Sequence, residues 1–369
     1  MYLNSKYIAE LIPYNASLTA EYVSTKYNLP IDKVSKLGSA ENPFGPSPKA
    51  LAAITNVLST ISIYPEWSAL VLREAIAKKY NFDPENIVCG AGASEIMSFI
   101  IRAFSSVGDR LLMYEPCFPL YYKLAAAEGR IPIFQPMGDT FDFCIDELAS
   151  KITPDIRVVF LTSPHSPTGR MLREANVCQV CEAAGDAIVI LDEAYVHFSE
   201  TEGHIHLAKK YPNLIVLRTF SKVYGLGGLR IGFGVCHAEV ARILMRIKPP
   251  WNLGRLQVAG ATAALNDDGH INRTIAMVSE MRDYVLDRVR KLNRFGVIEG
   301  TRANFFLLRV PEGANSTDVW SALLKKGVIV KDCNIDFRGL ERGYLRIDIA
   351  PKVDMDRLID ALALLDLER

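Results

Sequence analysis

At 369 residues the chain is too long for one small hydrophobic core and predicts a large domain with a smaller one beside it. Its 42 acidic and 42 basic residues cancel, so no overall field draws it to nucleic acid or to an anionic membrane surface. A hydrophobic share of 49% and a charged share of 23% suit a globular protein, and no apolar run is long enough to span a bilayer. The opening MYLNSKYIAELIPY lacks the basic-then-apolar order of a secretory signal. Seven scattered cysteines read as reduced thiols, which sets the expected location as cytoplasmic. Cys178 and Cys181 form a lone C-x-x-C in a helix-like stretch, read as two helix-face residues; no metal is expected.

The first forty residues predict an arm and part of the smaller domain. Short apolar runs then alternate with amphipathic stretches. Strands are expected at Ile87–Cys89, Arg110–Tyr114, Arg157–Leu161, Ala187–Leu191, Leu214–Arg218 and Ile231–Val235, and helices at Ser94–Phe104, Phe118–Ala127 and Ala238–Ile247. This alternation predicts an α/β fold with a mostly parallel sheet, whose ligands bind at the carboxyl ends of the strands. After about Asn266 the pattern changes. A long helix near Ile271–Leu292 leads to the segment Ala303–Arg309, a helix near Thr317–Lys326, strands near Val328–Lys331 and Tyr344–Ile347, and a last helix Asp354–Leu365. The expected division is 1–38 (arm and part of the small domain), 39–266 (large domain) and 267–369 (small α+β domain).

Four segments carry chemistry. Val88-Cys-Gly-Ala-Gly-Ala-Ser-Glu95 is a strand, a small-residue turn and a helix start, where the N–H groups of Ala93 and Ser94 can face an anion. Val158-Val-Phe-Leu-Thr-Ser-Pro-His-Ser-Pro-Thr-Gly169 runs a buried strand into a turn that brings His165 or Ser166 to the crevice, unless both are merely structural. Ile188-Val-Ile-Leu-Asp-Glu-Ala-Tyr195 ends a strand on Asp192; the carboxylate can pair with a protonated ring nitrogen, or simply cap a helix. Leu214-Ile-Val-Leu-Arg-Thr-Phe-Ser-Lys-Val-Tyr-Gly-Leu-Gly-Gly-Leu-Arg230 places Thr219, Ser221 and Lys222 at a strand end, before a glycine-rich loop and Arg230. A partly desolvated lysine becomes a usable amine, and two hydroxyls with an arginine seat a phosphate. That combination is what pyridoxal phosphate requires. A surface lysine in a loop is the plain alternative. A dinucleotide loop is not, because Gly225, Gly227 and Gly228 miss the G-x-G-x-x-G spacing.

Together these segments resemble the fold-type I pyridoxal-phosphate enzymes, and within them the class I/II aminotransferases of the histidinol-phosphate type. The likeness extends through Leu11-Ile-Pro-Tyr14, Glu41-Asn-Pro-Phe-Gly-Pro-Ser-Pro48, Tyr64-Pro65, Glu115-Pro-Cys-Phe118 and Tyr344-Leu-Arg-Ile347. The resemblance implies pyridoxal 5'-phosphate held by Lys222 as a Schiff base, with Asp192 on the ring nitrogen and Tyr195 on the ring hydroxyl. Ala93, Ser94, Thr219, Ser221 and Arg230 would hold the phosphate, and Phe118 would stack on the ring. Tyr64 would reach the cofactor of a second subunit, which implies a homodimer. Arg346, with Lys331 and Asn42, would bind substrate. The implied reaction is transamination between an amino-acid or amino-phosphate donor and a 2-oxo acid, 2-oxoglutarate. Three positions depart from the family pattern. Ser166 stands for an asparagine that donates to the ring hydroxyl oxygen, Lys331 for an arginine, and Ala40 for an asparagine. Competing expectations are a threonine-phosphate decarboxylase, suggested by Pro250-Trp251 and Cys333-Asn-Ile-Asp-Phe-Arg-Gly-Leu340, a broad aromatic or branched-chain aminotransferase, and a cofactor-binding protein without catalysis.

Overall fold

The computed structural model describes residues 8, 11–14, 16–334, 337–340 and 343–367. Residues 1–7, 9, 10 and 15 of the expected arm lie outside that set, as do residues 335 and 336 of the decarboxylase-like segment. Twelve strands are assigned: β1 Ser35–Leu37, β2 Ile87–Gly90, β3 Arg110–Glu115, β4 Ile131–Pro136, β5 Ile156–Thr162, β6 Ile188–Asp192, β7 Leu214–Thr219, β8 Gly232–Val235, β9 Gly296–Val297, β10 Phe305–Arg309, β11 Val328–Asp332 and β12 Tyr344–Asp348. They form two sheets.

The seven-stranded sheet has the order β2-β8-β7-β6-β5-β3-β4. β4, β3, β5, β6 and β7 are parallel, and β8 runs antiparallel to both its neighbours. The central strands carry unbroken apolar runs, Val158–Leu161, Ile188–Leu191 and Leu214–Leu217, because both faces are covered. Val159, Leu161, Val189, Leu191 and Val216 enter one core, while Val158, Phe160, Ile188, Ile190, Ile215 and Leu217 enter the other. β4 was not expected from sequence. Its IPIFQP carries two prolines, which a strand tolerates at a sheet edge, where β4 lies.

The smaller sheet has the order β1-β11-β12-β10-β9. β1 pairs parallel with β11, and the other pairings are antiparallel. The chain therefore starts in the small sheet, crosses to the large one through residues 38–47, and returns after the 22-residue helix Asp268–Val289. That helix begins and ends three residues earlier than the sequence pattern predicts. Cys178 and Cys181 lie on the helix Glu174–Ala184, as read from sequence.

Register then positions the chemistry. Thr162 lies opposite Asp192, Asp192 opposite Leu217, and Thr219 opposite Gly232. The carboxyl ends of β5, β6 and β7 thus stand side by side. The helix Ala93–Phe104 starts beside them. A Cβ at Gly232 would lie 2.4 Å from the Ala93 nitrogen, so only glycine lets that helix start so close to the sheet. In the small sheet Lys331 pairs with Arg346.

Candidate active site

A cavity of about 410 Å³ opens where the two sheets meet. Its lining includes Ala93, Ser94, Phe118, Ser166, Asp192, Tyr195, Thr219, Ser221, Lys222, Arg230 and Arg346. These residues come from segments spread over 250 positions, and the fold brings them to one place.

At one end lies an anion cradle. The helix Ala93–Phe104 presents its first N–H groups, and its N-cap Gly92 has φ +83°. A Cβ there would lie 2.8 Å from Arg230 Nη2, so the glycine lets the guanidinium lie against the turn. Arg230 Nη1 donates to Ser221 Oγ at 3.2 Å, and the Ser221 N–H donates to Thr219 Oγ1 at 3.0 Å.

The floor is a buried carboxylate with ordered partners. Asp192 Oδ1 accepts from the Ala194 N–H at 3.0 Å and Oδ2 from the Tyr121 hydroxyl at 2.7 Å. With its proton directed at Asp192, the Tyr121 oxygen accepts from the Thr162 hydroxyl at 2.9 Å. Burial pushes the Asp192 carboxyl above its ordinary range, while Tyr121 and the Ala194 N–H pull it back down. Tyr121 stacks on Phe160, centroids 4.8 Å apart, and meets Phe118 edge-on.

Lys222 projects from the loop after β7. Its Nζ donates to the Ser39 carbonyl at 2.9 Å and sits 5.4 Å from the centre of the Tyr195 ring. Burial, helped by the positive charge of Arg346, lowers the lysine from its ordinary 10.5 to about 8. Burial raises the Tyr195 phenol, and Arg346 beside it opposes that.

Arg346 is 5% exposed. Its Nη2 donates to the Gly38 carbonyl at 3.4 Å and lies 3.7 Å from Asp348 Oδ1, and its guanidinium stands 4.8 Å from the centre of the Phe305 ring. Burial pushes the Asp348 carboxyl up, against the pull of Arg346 and the Ala40 N–H.

Four expected residues lie elsewhere. Asn42 is outside the lining: its amide donates to the Val223 carbonyl at 2.8 Å and to Thr274 Oγ1 at 3.3 Å, bracing the loop that carries Lys222. Lys331 is outside the lining, with Nζ 4.9 Å from the centre of the Tyr14 ring, which does line the cavity. His165 is buried, paired through Nδ1 with Thr168 at 2.9 Å, and burial lowers it to about 3. Tyr64 is 76% exposed, against Trp251 at 5.0 Å. Sequence reasoning missed Tyr121 and Thr162. Their signals were an aromatic three residues after Phe118 and a hydroxyl at the end of a predicted buried strand. Among the described residues no group of three or more His, Cys, Asp or Glu could hold a metal ion, and no helix is long and apolar enough to cross a membrane.

Residues 32–362 match the model of the family described as aminotransferase class I and II. A histidinol-phosphate aminotransferase from an Anaeromyxobacter species is 37% identical over 96% of this chain and 97% of its own length. One from Methanococcus maripaludis is 34% identical over 96% of each. The solved histidinol-phosphate aminotransferase of Sinorhizobium meliloti, in complex with pyridoxal-5'-phosphate, superposes with a TM-score of 0.87 at 22% identity, covering 99% of this chain and 98% of that one. The chain belongs to the class I and II aminotransferases, and its architecture is the fold-type I transferase fold.

Proposed function

We propose that this aminotransferase uses pyridoxal 5'-phosphate to move the amino group of histidinol phosphate to 2-oxoglutarate, as a step in histidine biosynthesis. The observation that carries this reading is a buried lysine amine, titrating near 8, between an anion cradle and a hydrogen-bonded carboxylate. The residues fit the cofactor on independent grounds. Ser166 Oγ lines the cavity, buried and without a hydrogen-bond partner among the described residues, and Gly92 is shaped around Arg230 where a phosphate would sit. When bound, the cofactor supplies an aldehyde for the amine and a protonated ring that accommodates the electron pair left at the substrate carbon.

The chain's own groups do the rest. The cradle formed by Ala93, Ser94, Thr219, Ser221 and Arg230 binds the phosphate. Asp192, oriented by Tyr121, holds the proton on the ring nitrogen. Phe118 covers the ring, and Tyr195 and Ser166 reach its hydroxyl. Lys222 Nζ, neutral in a large fraction near pH 8, would take up and hold the proton from the substrate α-carbon. Arg346 receives the substrate's anionic group through its planar fork, with Lys331 adding charge behind Tyr14.

The same reading makes the enzyme a cytoplasmic homodimer, with no nucleic-acid or membrane partner. Leu51, Leu58, Ile61, Ile63, Trp67 and Val71 are each at least half exposed or nearly so, apolar side chains close in sequence that a second subunit would cover. Tyr64 stands within that stretch, where it can serve the second subunit's phosphate. The domain division at residues 38 and 266 belongs to the same proposal, with β1 assigned to the small domain.

The test is a half-reaction screen that follows the absorbance of the bound cofactor. Histidinol phosphate should convert it faster than phenylalanine or glutamate. Release of CO2 from O-phosphothreonine without any oxo acid would replace this reading with a decarboxylase.

A further inference from the structure

Behind Arg346, which lines the cavity, lies a second buried charge, Asp348, two residues further along β12. The two side chains are 6% and 5% exposed. The oxygens of Asp348 face different ways. Oδ2 accepts from the N–H of Ala40, a residue held in the left-handed region at φ 51°. Oδ1 faces Arg346 Nη2 at 3.7 Å, too far for a hydrogen bond. Neither Oδ1 nor Arg346 Nε has a hydrogen-bond partner among the described residues. The guanidinium is thus held by charge, by the Gly38 carbonyl and by the face of Phe305, with donors left over.

We propose that Asp348 is a built-in counter-charge that weakens anion binding at Arg346 and so keeps the substrate seat reversible. An incoming carboxylate or phosphate gains the N–H fork of Arg346 but meets a like charge close behind it. A two-half reaction uses one seat in succession for a donor, its oxo product, an acceptor and its amino product. A bare buried guanidinium would hold each of them, products included, too firmly for turnover. Asp348 positions Arg346 and sets its strength; it does not touch the reacting atoms. The alternative is an anchor that only holds Ala40 in its turn. The two roles fall on different oxygens, so one substitution separates them.

The inference rests on Arg346 being the anion seat proposed above. The test titrates the cofactor-loaded enzyme with succinate, and separately with inorganic phosphate, by calorimetry at pH 8. Asp348→Asn keeps an oxygen for the Ala40 N–H and removes the charge. It should bind succinate about tenfold more tightly than the wild type, with a matching fall in the KM for the oxo acid and a lower kcat as release slows. Phosphate, also close to a dianion at pH 8, should gain by a similar factor. Unchanged or weaker binding of both anions in a variant of wild-type melting temperature would overturn the proposal. Asp348→Ser, a smaller neutral acceptor, serves the same comparison should the asparagine variant not fold. Arg346→Gln separates the premise from the inference. Succinate binding that survives this change removes Arg346 as the seat. Binding lost in Arg346→Gln but unaltered in Asp348→Asn leaves the seat standing and refutes the counter-charge alone.

Discussion

The two walls of the cavity are built on opposite plans. The floor, from the large sheet, is a chain of satisfied polar groups. Both oxygens of Asp192 are engaged, and next to it Glu193 and Arg218, 0% and 3% exposed at the side chain, pair at 2.7 Å while Arg218 lies over Tyr80. The opposite wall, from the small sheet and residues 38 and 39, carries Arg346, whose Nε, like Oδ1 of Asp348 behind it, has no partner among the described residues. A fully hydrogen-bonded buried network holds one geometry, whereas unpaired buried donors are costly and mark a place where a ligand supplies the missing bond. The floor suits a group that stays, and the wall suits groups that come and go. Ser166 is the exception, an unpartnered hydroxyl on the cofactor side.

The strongest test of the floor is removal of its amine. Lys222→Ala should lower kcat by about 10³-fold or more, and borohydride should then fix no cofactor to the chain. The burial that places Lys222 near 8 also fixes a pH dependence. The charged form is the disfavoured one, so the neutral amine accumulates as pH rises through 8. Capture of the cofactor aldehyde by cofactor-free protein, followed by stopped-flow absorbance, should accelerate up to about pH 8 and then level off. A rate that keeps climbing toward the ordinary lysine value near 10.4 would mean the amine is not desolvated.

Tyr121 tests whether the floor's order matters as well as its charge. Tyr121→Phe keeps the ring on Phe160 and Phe118 but removes the donor to Asp192 Oδ2. A hydrogen bond to a charged group contributes roughly 1.5–3 kcal/mol, so kcat should fall by about tenfold or more. The sign of the pH effect is definite. Tyr121 pulls the Asp192 carboxyl down, so its loss lets that pKa rise further, and the acid limb of the kcat profile should move to higher pH. A smaller kcat with an unmoved acid limb would reduce Tyr121 to packing.

What the sequence made legible follows the same division. Asp192 and Lys222 could be read because they stand at or just beyond the ends of β-rich runs, and Arg230 because it closes the glycine-rich loop that follows. The strands that were expected fall within one residue of their predicted bounds, since their apolar runs are buried, whereas β1, β4 and β9 were not foreseen. Tyr121 and Thr162 escaped because their meeting with Asp192 depends on the lateral order of β3, β5 and β6, which no local pattern encodes. Asn42 was read as a substrate group because it belongs to the Glu41–Pro48 segment that carries the family likeness; in the fold its amide faces the Val223 carbonyl. Asp348 attracted no notice because an acid two residues from an arginine is unremarkable on a strand until both prove buried on one side.

The smallest expected effect concerns Ser166, whose hydroxyl has no hydrogen-bond partner among the described residues. Its hydroxyl lines the cavity but is shorter than an amide, so its hold on the cofactor's ring oxygen is weak or passes through water. Ser166→Asn adds reach and an N–H donor. A donor there favours the negatively charged ring oxygen over its protonated form and so favours loss of the shared proton. The absorbance change of the bound cofactor should then titrate at lower pH. One hydrogen bond contributes about 0.5–1.5 kcal/mol, and a pKa unit corresponds to about 1.36 kcal/mol, so the shift should not exceed about one unit. A titration that stays in place would mean that Ser166 already makes this bond, and that its lack of a partner within the chain reflects a hydroxyl aimed at the cofactor.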